Sequence, residues 1–526
     1  MLKLSSASKT LRRISRFSPF TARTGVGFEY EAESERKLTP LSKPVKNFTA
    51  RPRPGGRRAA CPPARPVRPG KIIRDAIHGD MAFSADEARL LDTRAVQRLR
   101  GIKQLGLSYL VYPSAVHGRF EHALGACHLA GKIIESLDQK GVYRFSEADR
   151  RLIRAVTLLH DITHVPFGHT FEDERRIAPR HDADPARLDA ILADDLGDEL
   201  ARQGLLDPVR EHLAGGVSTV AKNAAEGQFI RDIFAGTICA DLLDYLRRDA
   251  RFCGLTIDYD DRIFSLFTRL GGRLALDLQR HGLFRHDALS EVVQVLRMRY
   301  LLTERVYFHH AKIAAGAMLS KALELAMAAE RFRYDDLARL RDDAFLHVLR
   351  ERTAALPSAQ RLLAALDARQ LYKPVFLASR DGLDDACLLE LKQRFYENRE
   401  GARERLEAEL CAATGAPEGS VIVYCPSPDM SLKEANVAVR LSETRSEPLS
   451  ALRHAEIETL LMRHRQLWRL VVLAPPSFGR RDAKIRRALV QLCEERLGLP
   501  DLRSSPGAGQ RSLAFFPAWT ERRAEK

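Results

Sequence analysis

The chain has 526 residues, 45% of them hydrophobic, which is enough to bury one large domain or two to three smaller ones. Its net charge is +15, but residues 1–70 hold sixteen basic and four acidic residues, so the rest carries only +3 and does not indicate a nucleic-acid-binding surface. No apolar run is long enough to span a membrane, and the eight cysteines include no CxxC pair, which favours a cytoplasmic protein with free thiols.

Residues 1–69 form a basic tail that is rich in arginine and proline. Nine of the 25 prolines lie there and no apolar periodicity is sustained, so we expect the tail to be disordered. It is a basic arm for polyanions such as nucleic acid, a transit-type presequence because residues 1–27 lack acids, or sequence translated from a misplaced start. We favour the misplaced start, because sequence typical of a folded domain begins abruptly at Lys71.

Residues 158–169 concentrate ionisable side chains at the end of an apolar helical run. The run ends in the doublet His160-Asp161, and His164 and His169 follow on either side of a helix-breaking proline. Such side chains are costly to bury without a partner, and a metal ion is the usual partner. The alternative is an ordinary ion pair at a helix end with two histidines on the surface.

Two more predicted helices carry further candidates for metal binding. One opens over residues 119–125 and includes His122, and the other covers 238–249 and includes Asp241. Two neutral imidazoles and two carboxylates suit a borderline divalent ion and leave coordination positions free for water and a phosphate oxygen. The predicted metal ligands are therefore His122, His160, Asp161 and Asp241.

The second half of the chain changes from helical to mixed patterns. Residues 286–331 predict a long and nearly continuous helical region, and residues 333–415 predict short helices. After Gly419 the pattern predicts strands over 421–425, 435–441 and 467–474, followed by a helix over 481–497. The predicted fold is therefore mainly α, with a small α+β lobe at the C-terminus.

The order of the four metal ligands is the H…HD…D pattern, and the chain resembles the HD-domain deoxynucleoside triphosphate triphosphohydrolases, which include the SAM-and-HD-domain and dGTPase-like proteins. The resemblance also rests on residues 71–79, 92–100 and 102–106, and it extends from residue 71 to about 321. It implies an HD-domain helical core that hydrolyses a deoxynucleoside triphosphate at a divalent ion. Mn, Fe, Zn, Ni and Mg are not distinguished, and the nucleotide can bring additional Mg. The predicted domains are a tail over 1–69, an HD core over 70–330, a helical extension over 331–418 and the α+β lobe over 419–526.

The resemblance assigns roles to individual residues. His164 and His169 are expected beside the scissile α-phosphate, with His169 the better candidate for protonating the departing 5′ oxygen. His181 is expected to work with its acidic neighbour Asp182. The implied catalytic residues are Asp161, His164, His169 and His181. The implied substrate-binding residues are Gln104, Leu105, Arg119, Tyr245, Asp249, Arg299 and Tyr307.

Four-residue spacing supports two of these groups, since residues so spaced share a helix face. Asp241, Tyr245 and Asp249 form one group, and Arg299 and Tyr307 belong to the other, with Thr303 between them. The sequence departs from the family where the best-known members have a lysine, here Leu242, and a histidine, here Thr303. A lost cation weakens triphosphate binding. The substrate could then be another phosphoester, such as a deoxynucleoside monophosphate or a cyclic nucleotide.

A second nucleotide site is also implied by the resemblance. Asp92, Gln97 and Arg100 match residues that recognise the guanine of an activating GTP or dGTP, and Lys71 matches a phosphate contact. Such sites lie between subunits in the family, which implies a homo-oligomer, either a dimer or a tetramer. Alternatively, Asp92 caps a helix that starts at Thr93. An alternative of a different class is a nucleic-acid-binding regulator that uses the basic tail and has a degenerate site.

Overall fold

The computed structural model describes residues 70–215, 224–381, 383–480 and 483–503, so the predicted tail lies outside the described residues. The described residues form nineteen α-helices and eleven β-strands, which confirms the prediction of a mainly α fold with a small α+β region. Within these ranges no helix is both long and apolar enough to cross a membrane. The seven cysteines that lie in them are free thiols.

The helices are distributed along the whole described chain. They are α1 Ala85–Leu91, α2 Arg94–Arg98, α3 Arg119–Gln139, α4 Glu147–Leu159, α5 Pro185–Leu192, α6 Asp195–Arg202, α7 Leu206–Leu213, α8 Ala224–Ala235, α9 Ala240–Phe252, α10 Arg262–Leu266, α11 His286–Leu302, α12 His310–Ala328, α13 Asp342–Arg352, α14 Pro357–Asp367, α15 Asp385–Leu391, α16 Ala402–Thr414, α17 Ala455–Arg465, α18 Pro476–Arg480 and α19 Ala483–Leu497. Three π-helical turns interrupt the pattern, at Thr170–Glu174, Thr303–Tyr307 and Lys392–Tyr396.

The strands form four small sheets. They are β1 Lys71–Asp75, β2 Gly79–Phe83, β3 Phe267–Leu270, β4 Arg273–Asp277, β5 Gln279–Arg280, β6 Leu283–Phe284, β7 Lys373–Ser379, β8 Ile422–Tyr424, β9 Ala438–Arg440, β10 Ser446–Pro448 and β11 Arg469–Ala474. The sheets have the orders β1-β2, β10-β9-β4-β3, β7-β11-β8 and β5-β6.

Helices α3, α4 and α9 pack together and form the centre of the N-terminal core. The N-terminus of α4 is capped by Ser146, whose hydroxyl accepts a hydrogen bond from the backbone of Asp149, while the Asp149 side chain accepts from the backbone of Ser146. Helix α9 approaches α3 closely at Gly125, where a Cβ atom would collide with the carboxylate of Asp244. A glycine at this position therefore allows α3 and α9 to bring their polar residues together.

The C-terminal strands are not a separate layer from the core. Strand β9 pairs in parallel with β4, so a four-stranded sheet joins residues 438–448 to residues 267–277. Strand β7 lies in the 331–418 region, for which we predicted short helices, and that expectation was wrong for residues 373–379. A short apolar run in a sequence is compatible with either a strand or a buried helix. Residues 373–379 form a strand because they pair in antiparallel fashion with β11. The domain boundaries remain predictions.

A buried network of charges connects the N-terminal core with α16. Glu407 accepts hydrogen bonds from Arg175 at 2.7 Å, from Lys321 at 2.7 Å and from the backbone nitrogen of Val423 at 2.8 Å. Arg175 also donates to Glu324 at 2.7 Å. Because Arg175 and Glu407 are both buried, each charge depends on its partners for the solvation that water would otherwise supply.

We predict that Glu407→Gln lowers the free energy of unfolding by about 3 to 5 kcal/mol, because it leaves buried cations without their shared anion. Glu409→Gln on the same helix is the matched control, since Glu409 pairs with Arg496 at the surface and its loss costs about 0 to 1 kcal/mol. Apparent midpoints of thermal unfolding compare the two variants. Equal midpoints would contradict a stabilising role for the network.

Candidate active site

The four predicted metal ligands converge between α3, α4 and α9. His122 lies in the first turn of α3, Asp241 lies in the first turn of α9, and the other two follow the end of α4. His122 Nε2 is 3.0 Å from Asp241 Oδ1 and 3.2 Å from His160 Nε2. Asp161 Oδ1 is 3.5 Å from His160 Nε2. Ligand atoms of His122, His160 and Asp241 all lie within 4.8 Å of one another, which fits a divalent metal. Asp161 is not part of that group, but it lies 3.7 Å from His122 and completes the four predicted ligands, here called the metal-ligand set.

Hydrogen bonds orient both imidazoles of the metal-ligand set. His122 Nδ1 donates to Asp244 Oδ2 at 2.8 Å, and His160 Nδ1 donates to the carbonyl oxygen of Thr157 at 2.7 Å. With the proton on Nδ1, the Nε2 lone pair of each ring faces the other ligands. A carboxylate or carbonyl behind a ligating histidine is the usual arrangement in metal sites.

The charges of the set favour a bound cation. Burial opposes the charged form of His122, but hydrogen bonds to Asp241 and Asp244 raise its pKa to about 10, so a bound ion would displace the proton on Nε2. Burial also opposes ionisation of Asp161, yet Arg119, 2.6 Å away, and the neighbouring histidines hold its pKa well below the usual range. The carboxylates are therefore ionised at neutral pH and make the site attractive to a divalent ion.

A second group of polar side chains, here called the histidine cluster, consists of His164, His169, Glu172 and His181. Glu172 Oε2 is 3.0 Å from His169 Nδ1 and 3.1 Å from His181 Nδ1. The His164 and His181 rings stack with centroids 3.7 Å apart. The cluster touches the metal-ligand set, because His164 Nε2 is 3.2 Å from Asp161 Oδ1. A cavity of about 180 Å³ opens beside His181.

The acidic partner of His181 differs from our expectation. Asp182 pairs with Arg180 at 3.0 Å, whereas Glu172 is the carboxylate that His181 contacts. Burial would raise the pKa of Glu172, but the three surrounding histidines hold it well below the usual range. Burial lowers the pKa of His164 to about 3, so this ring is neutral at physiological pH.

The loop between the two groups has an unusual backbone. Phe167 and Gly168 have positive φ angles of 59° and 55°, and a Cβ atom at Gly168 would collide with the guanidinium of Arg119. The strained residue is held in place, because the Phe167 backbone nitrogen donates to Asp342 Oδ1 at 2.7 Å. Arg98 further anchors the segment by donating to the carbonyl oxygen of His164.

Four of the predicted substrate residues contact one another and form a group here called the tyrosine pocket, with members Tyr245, Asp249, Arg299 and Tyr307. Arg299 lies 5.6 Å from the ring centroid of Tyr245 and 5.2 Å from that of Tyr307. The Tyr307 hydroxyl donates to Asp249 Oδ2 at 2.8 Å. The Tyr245 ring is 6.5 Å from the ring of His122, so the pocket adjoins the metal-ligand set.

The three remaining predicted substrate residues are Gln104, Leu105 and Arg119. Leu105 is buried in the hydrophobic cluster on which Tyr245 packs. Gln104 Oε1 and the Nε and Nη2 atoms of Arg119 are buried and make no hydrogen bond with any described residue. Buried polar atoms without partners are rare, so these atoms point to a missing polar ligand.

The two residues that depart from the family pattern, Leu242 and Thr303, supply no positive charge to the site. Leu242 is buried in the core, and the Thr303 hydroxyl donates to the carbonyl oxygen of Arg299 at 2.8 Å. Arg299 itself donates to Glu434 Oε1 at 3.1 Å. Glu434 therefore partly neutralises the charge of Arg299, and neither Leu242 nor Thr303 adds another cation.

The predicted activator residues lie together on the surface. Lys71 Nζ contacts the Asp92 carboxylate at 2.6 Å, and Arg100 donates to Gln97 Oε1 at 2.8 Å. Asp92 does not cap the start of the following helix, because it is the C-terminal cap of α1 and Thr93 occupies the N-cap position of α2. The Arg100 guanidinium lies 3.6 Å from the ring centroid of Phe120 on α3.

Sequence reasoning missed three residues of the site. Glu172 follows His169 by three positions, a helical spacing that could have identified it. Asp244 follows Asp241 by three positions, but nothing local distinguishes it from other aspartates on helices. Glu434 is 135 positions from Arg299 and had no signal.

Two families of known proteins match this chain. Residues 119–249 match the HD domain, and residues 284–496 match the HD associated region. The first range contains all four metal ligands and the histidine cluster. A hypothetical protein from Aquifex aeolicus has a similar structure, with a TM-score of 0.58 and 23% identity over 80% of this chain and 99% of that one, which supports the fold alone.

Similar sequences come from archaea and animals. An uncharacterised protein of Methanocaldococcus jannaschii is 31% identical over 345 residues, which cover 62% of this chain and 66% of that protein. The deoxynucleoside triphosphate triphosphohydrolase SAMHD1 is 28% identical in Bos taurus, over 70% of this chain and 68% of the relative, and 27% identical in Homo sapiens, over 58% and 55%. The chain thus spans between about half and two thirds of these relatives. The resemblance to HD-domain proteins is confirmed, and the chain belongs to the HD-domain superfamily of phosphohydrolases.

Proposed function

We propose that the protein hydrolyses deoxynucleoside triphosphates to the deoxynucleoside and inorganic triphosphate. The observation that carries the proposal is that one metal-ligand set adjoins both the histidine cluster and the tyrosine pocket. This arrangement suits a nucleotide whose sugar lies by the tyrosines and whose α-phosphate lies by the histidines. The names of the SAMHD1 relatives support the same reaction.

The metal-ligand set would hold Mn, Fe, Zn, Ni or Mg, and the nucleotide can bring a further Mg. When bound, a divalent ion polarises a phosphoryl oxygen and makes water a better nucleophile. Arg119 supplies positive charge beside the metal-ligand set, because its Nη1 atom donates to Asp161. Its Nε and Nη2 atoms have no partner among the described residues. These donors are placed to bind phosphate oxygens with charge-assisted hydrogen bonds.

His169 is the proposed proton donor to the departing 5′ oxygen. His164 is fully buried and neutral, whereas the His169 side chain is 45% exposed and can reach a substrate. Glu172 accepts a hydrogen bond from the Nδ1–H group of His169, so the Nε2 atom of His169 points away from Glu172. Glu172 is therefore a positioning residue, because it orients the ring that transfers the proton.

The tyrosine pocket is proposed to select the deoxyribose. Asp249 already accepts hydrogen bonds from Tyr307 and from His117 Nε2 at 2.9 Å, which fixes its carboxylate. Together with the unpaired Gln104 Oε1, it would accept a hydrogen bond from the 3′-hydroxyl. The Tyr245 ring would occupy the space of a 2′-hydroxyl and so exclude ribonucleotides.

A deoxynucleoside monophosphate is the second candidate substrate. The observation in its favour is the low positive charge near Arg299, which Glu434 neutralises while Leu242 contributes none. Fewer cations mean weaker attraction for the four negative charges of a triphosphate. The two candidate reactions use the same metal-ligand set and break the same bond between phosphorus and the 5′ oxygen. They differ in the second product, which is inorganic triphosphate in one reaction and inorganic phosphate in the other.

The surface residues Lys71, Asp92, Gln97 and Arg100 are proposed to bind an activating GTP or dGTP in a dimer or tetramer. Lys71 and Asp92 carry charges suited to a phosphate and to the N1 and N2 hydrogens of guanine. A nucleotide bound at Arg100 would affect the candidate active site through Phe120, because Arg100 contacts the Phe120 ring and Phe120 is adjacent to Arg119 on α3.

Product analysis tests the reaction. We expect each active deoxynucleoside triphosphate to yield the deoxynucleoside and inorganic triphosphate on ion-exchange chromatography, with Mn²⁺ or Mg²⁺ present. Asp161→Ala should reduce both products to background, because it removes a ligand of the ion. Deoxynucleoside monophosphates are assayed in parallel. Turnover of these alone would reject the triphosphohydrolase in favour of the second candidate.

Replacement of Asp244, whose carboxylate accepts a hydrogen bond from His122, tests the metal site. We predict that Asp244→Asn weakens metal affinity by about 10-fold to 100-fold, because the ligating ring loses its ionised partner. Competition with a chelator, followed by elemental analysis, measures the affinity. Asp258→Asn is the control, since Asp258 pairs with Arg247 at the surface. Unchanged affinity in a folded Asp244→Asn protein would refute this role.

Nucleotide titration tests the activator site. We predict that Asp92→Asn raises the GTP concentration needed for half-maximal activation by roughly tenfold or more, because a charged acceptor for guanine is lost. Activity and size-exclusion elution are both followed as GTP is added. Asp80→Asn, which alters a surface ion pair with Arg74 on the neighbouring hairpin, should respond like the unaltered protein. The same GTP dependence in both variants would exclude Asp92 from the site.

A further inference from the structure

The histidine cluster has the composition of a metal site of its own. Three imidazoles and one carboxylate bring one ligand atom each within 4.8 Å of one another, and none of them belongs to the metal-ligand set. All three rings present Nδ1 to Glu172, at 3.0 Å for His169, 3.1 Å for His181 and 3.4 Å for His164. Imidazole nitrogen and carboxylate oxygen together are ligands that zinc and cobalt prefer.

Hydrogen bonds among these four side chains leave some atoms unsatisfied. His164 is fully buried and Glu172 is 2% exposed. His164 Nδ1 and Glu172 Oε1 face each other, yet neither makes a hydrogen bond within the described part of the chain. Buried polar atoms without a partner are uncommon in folded proteins and mark the place of an unseen ligand.

The separations also suit a small ion. In a tetrahedral zinc site with bonds of about 2.0 to 2.1 Å, neighbouring ligand atoms lie about 3.3 to 3.4 Å apart. The three distances from Glu172 oxygens to the ring nitrogens, 3.0 to 3.4 Å, are close to that value. An ion could therefore enter with small rotations of the side chains.

We propose that His164, His169, Glu172 and His181 form a second site for a divalent transition metal, which binds Zn²⁺ or Co²⁺. Each histidine binds through Nδ1 and keeps its proton on Nε2. For His164 this tautomer is favourable, because the Nε2 proton then lies beside the carboxylate oxygen Oδ1 of Asp161, which is 3.2 Å from Nε2. The His164 ring thus separates the two sites and faces one with each nitrogen.

Occupation of the second site has a consequence that rests on the proposed function. A metal bound to His169 Nδ1 holds the ring that would protonate the leaving oxygen and raises the positive charge beside it. The ion at the second site therefore acts as an inhibitor. Zinc concentrations that fill only the metal-ligand set support activity, and higher concentrations suppress it.

Metal counting tests the second site without reference to any substrate. Untagged full-length protein is stripped with a chelator, titrated with Zn²⁺ or Co²⁺, and analysed for bound metal per chain. We expect two ions in the unaltered protein, one in Glu172→Gln and two in Asp182→Asn, whose carboxylate pairs with Arg180 instead. Asp241→Ala should retain the ion that Glu172→Gln loses. With Co²⁺, the second equivalent should give the intense visible absorption of a tetrahedral ion.

Two results would overturn the proposal, namely saturation of the unaltered protein at one ion or retention of both ions by Glu172→Gln. If Glu172→Gln does not fold, His169→Gln replaces it, because the half-exposed His169 side chain is not part of the core. The two proposals fail separately. Two ions without triphosphohydrolase activity would reject the proposed function alone, and activity with a single ion would reject the second site alone.

Discussion

The buried carboxylate of Asp244 is the contact on which the geometry of the site depends. It accepts hydrogen bonds from His122, from Arg248 and from the ring of His78, so it ties α3, α9 and the β1-β2 hairpin together. A carboxylate removed from water is tolerated only with such a full set of charge-assisted partners. Gly125 makes the contact possible, because any side chain there would displace the carboxylate. Orientation of His122, and with it the metal-ligand set, follows from this arrangement.

Irregular backbone carries most of the proposed chemistry. Glu172 lies in the π-helical turn Thr170–Glu174, directly after His169, and Tyr307 ends the second such turn at Thr303–Tyr307. A π turn adds a residue to the helix and shifts side chains around its axis, which explains why such turns are frequent at functional sites. The positive φ of Phe167 adds local strain, which Asp342 offsets by accepting a hydrogen bond from the Phe167 backbone N–H. His122 and Asp241 lie in α-helices and His160 and Asp161 directly follow one, while the irregular segments place the groups around them.

The C-terminal half is a structural part of the active site. Glu434 reaches Arg299, Asp342 holds the loop at Phe167, and Glu407 neutralises Arg175 just beyond the histidine cluster. The contacts of Asp342 and Glu407 cross between the ranges that match the HD domain and the HD associated region. Changes in the C-terminal half can therefore alter the charge near the candidate active site without touching a predicted metal ligand.

The sequence by itself determined the helical core, the order of the four metal ligands and the residues that share a face of α9, because helical spacing is local and each residue type limits its chemistry. Only the tertiary structure decided that Glu172 rather than Asp182 serves His181, that residues 373–379 form a strand, and that Asp244 supports His122. These outcomes depend on the direction of side chains in irregular segments and on contacts between residues up to 122 positions apart. Packing sets such contacts, and no periodicity in the sequence encodes them.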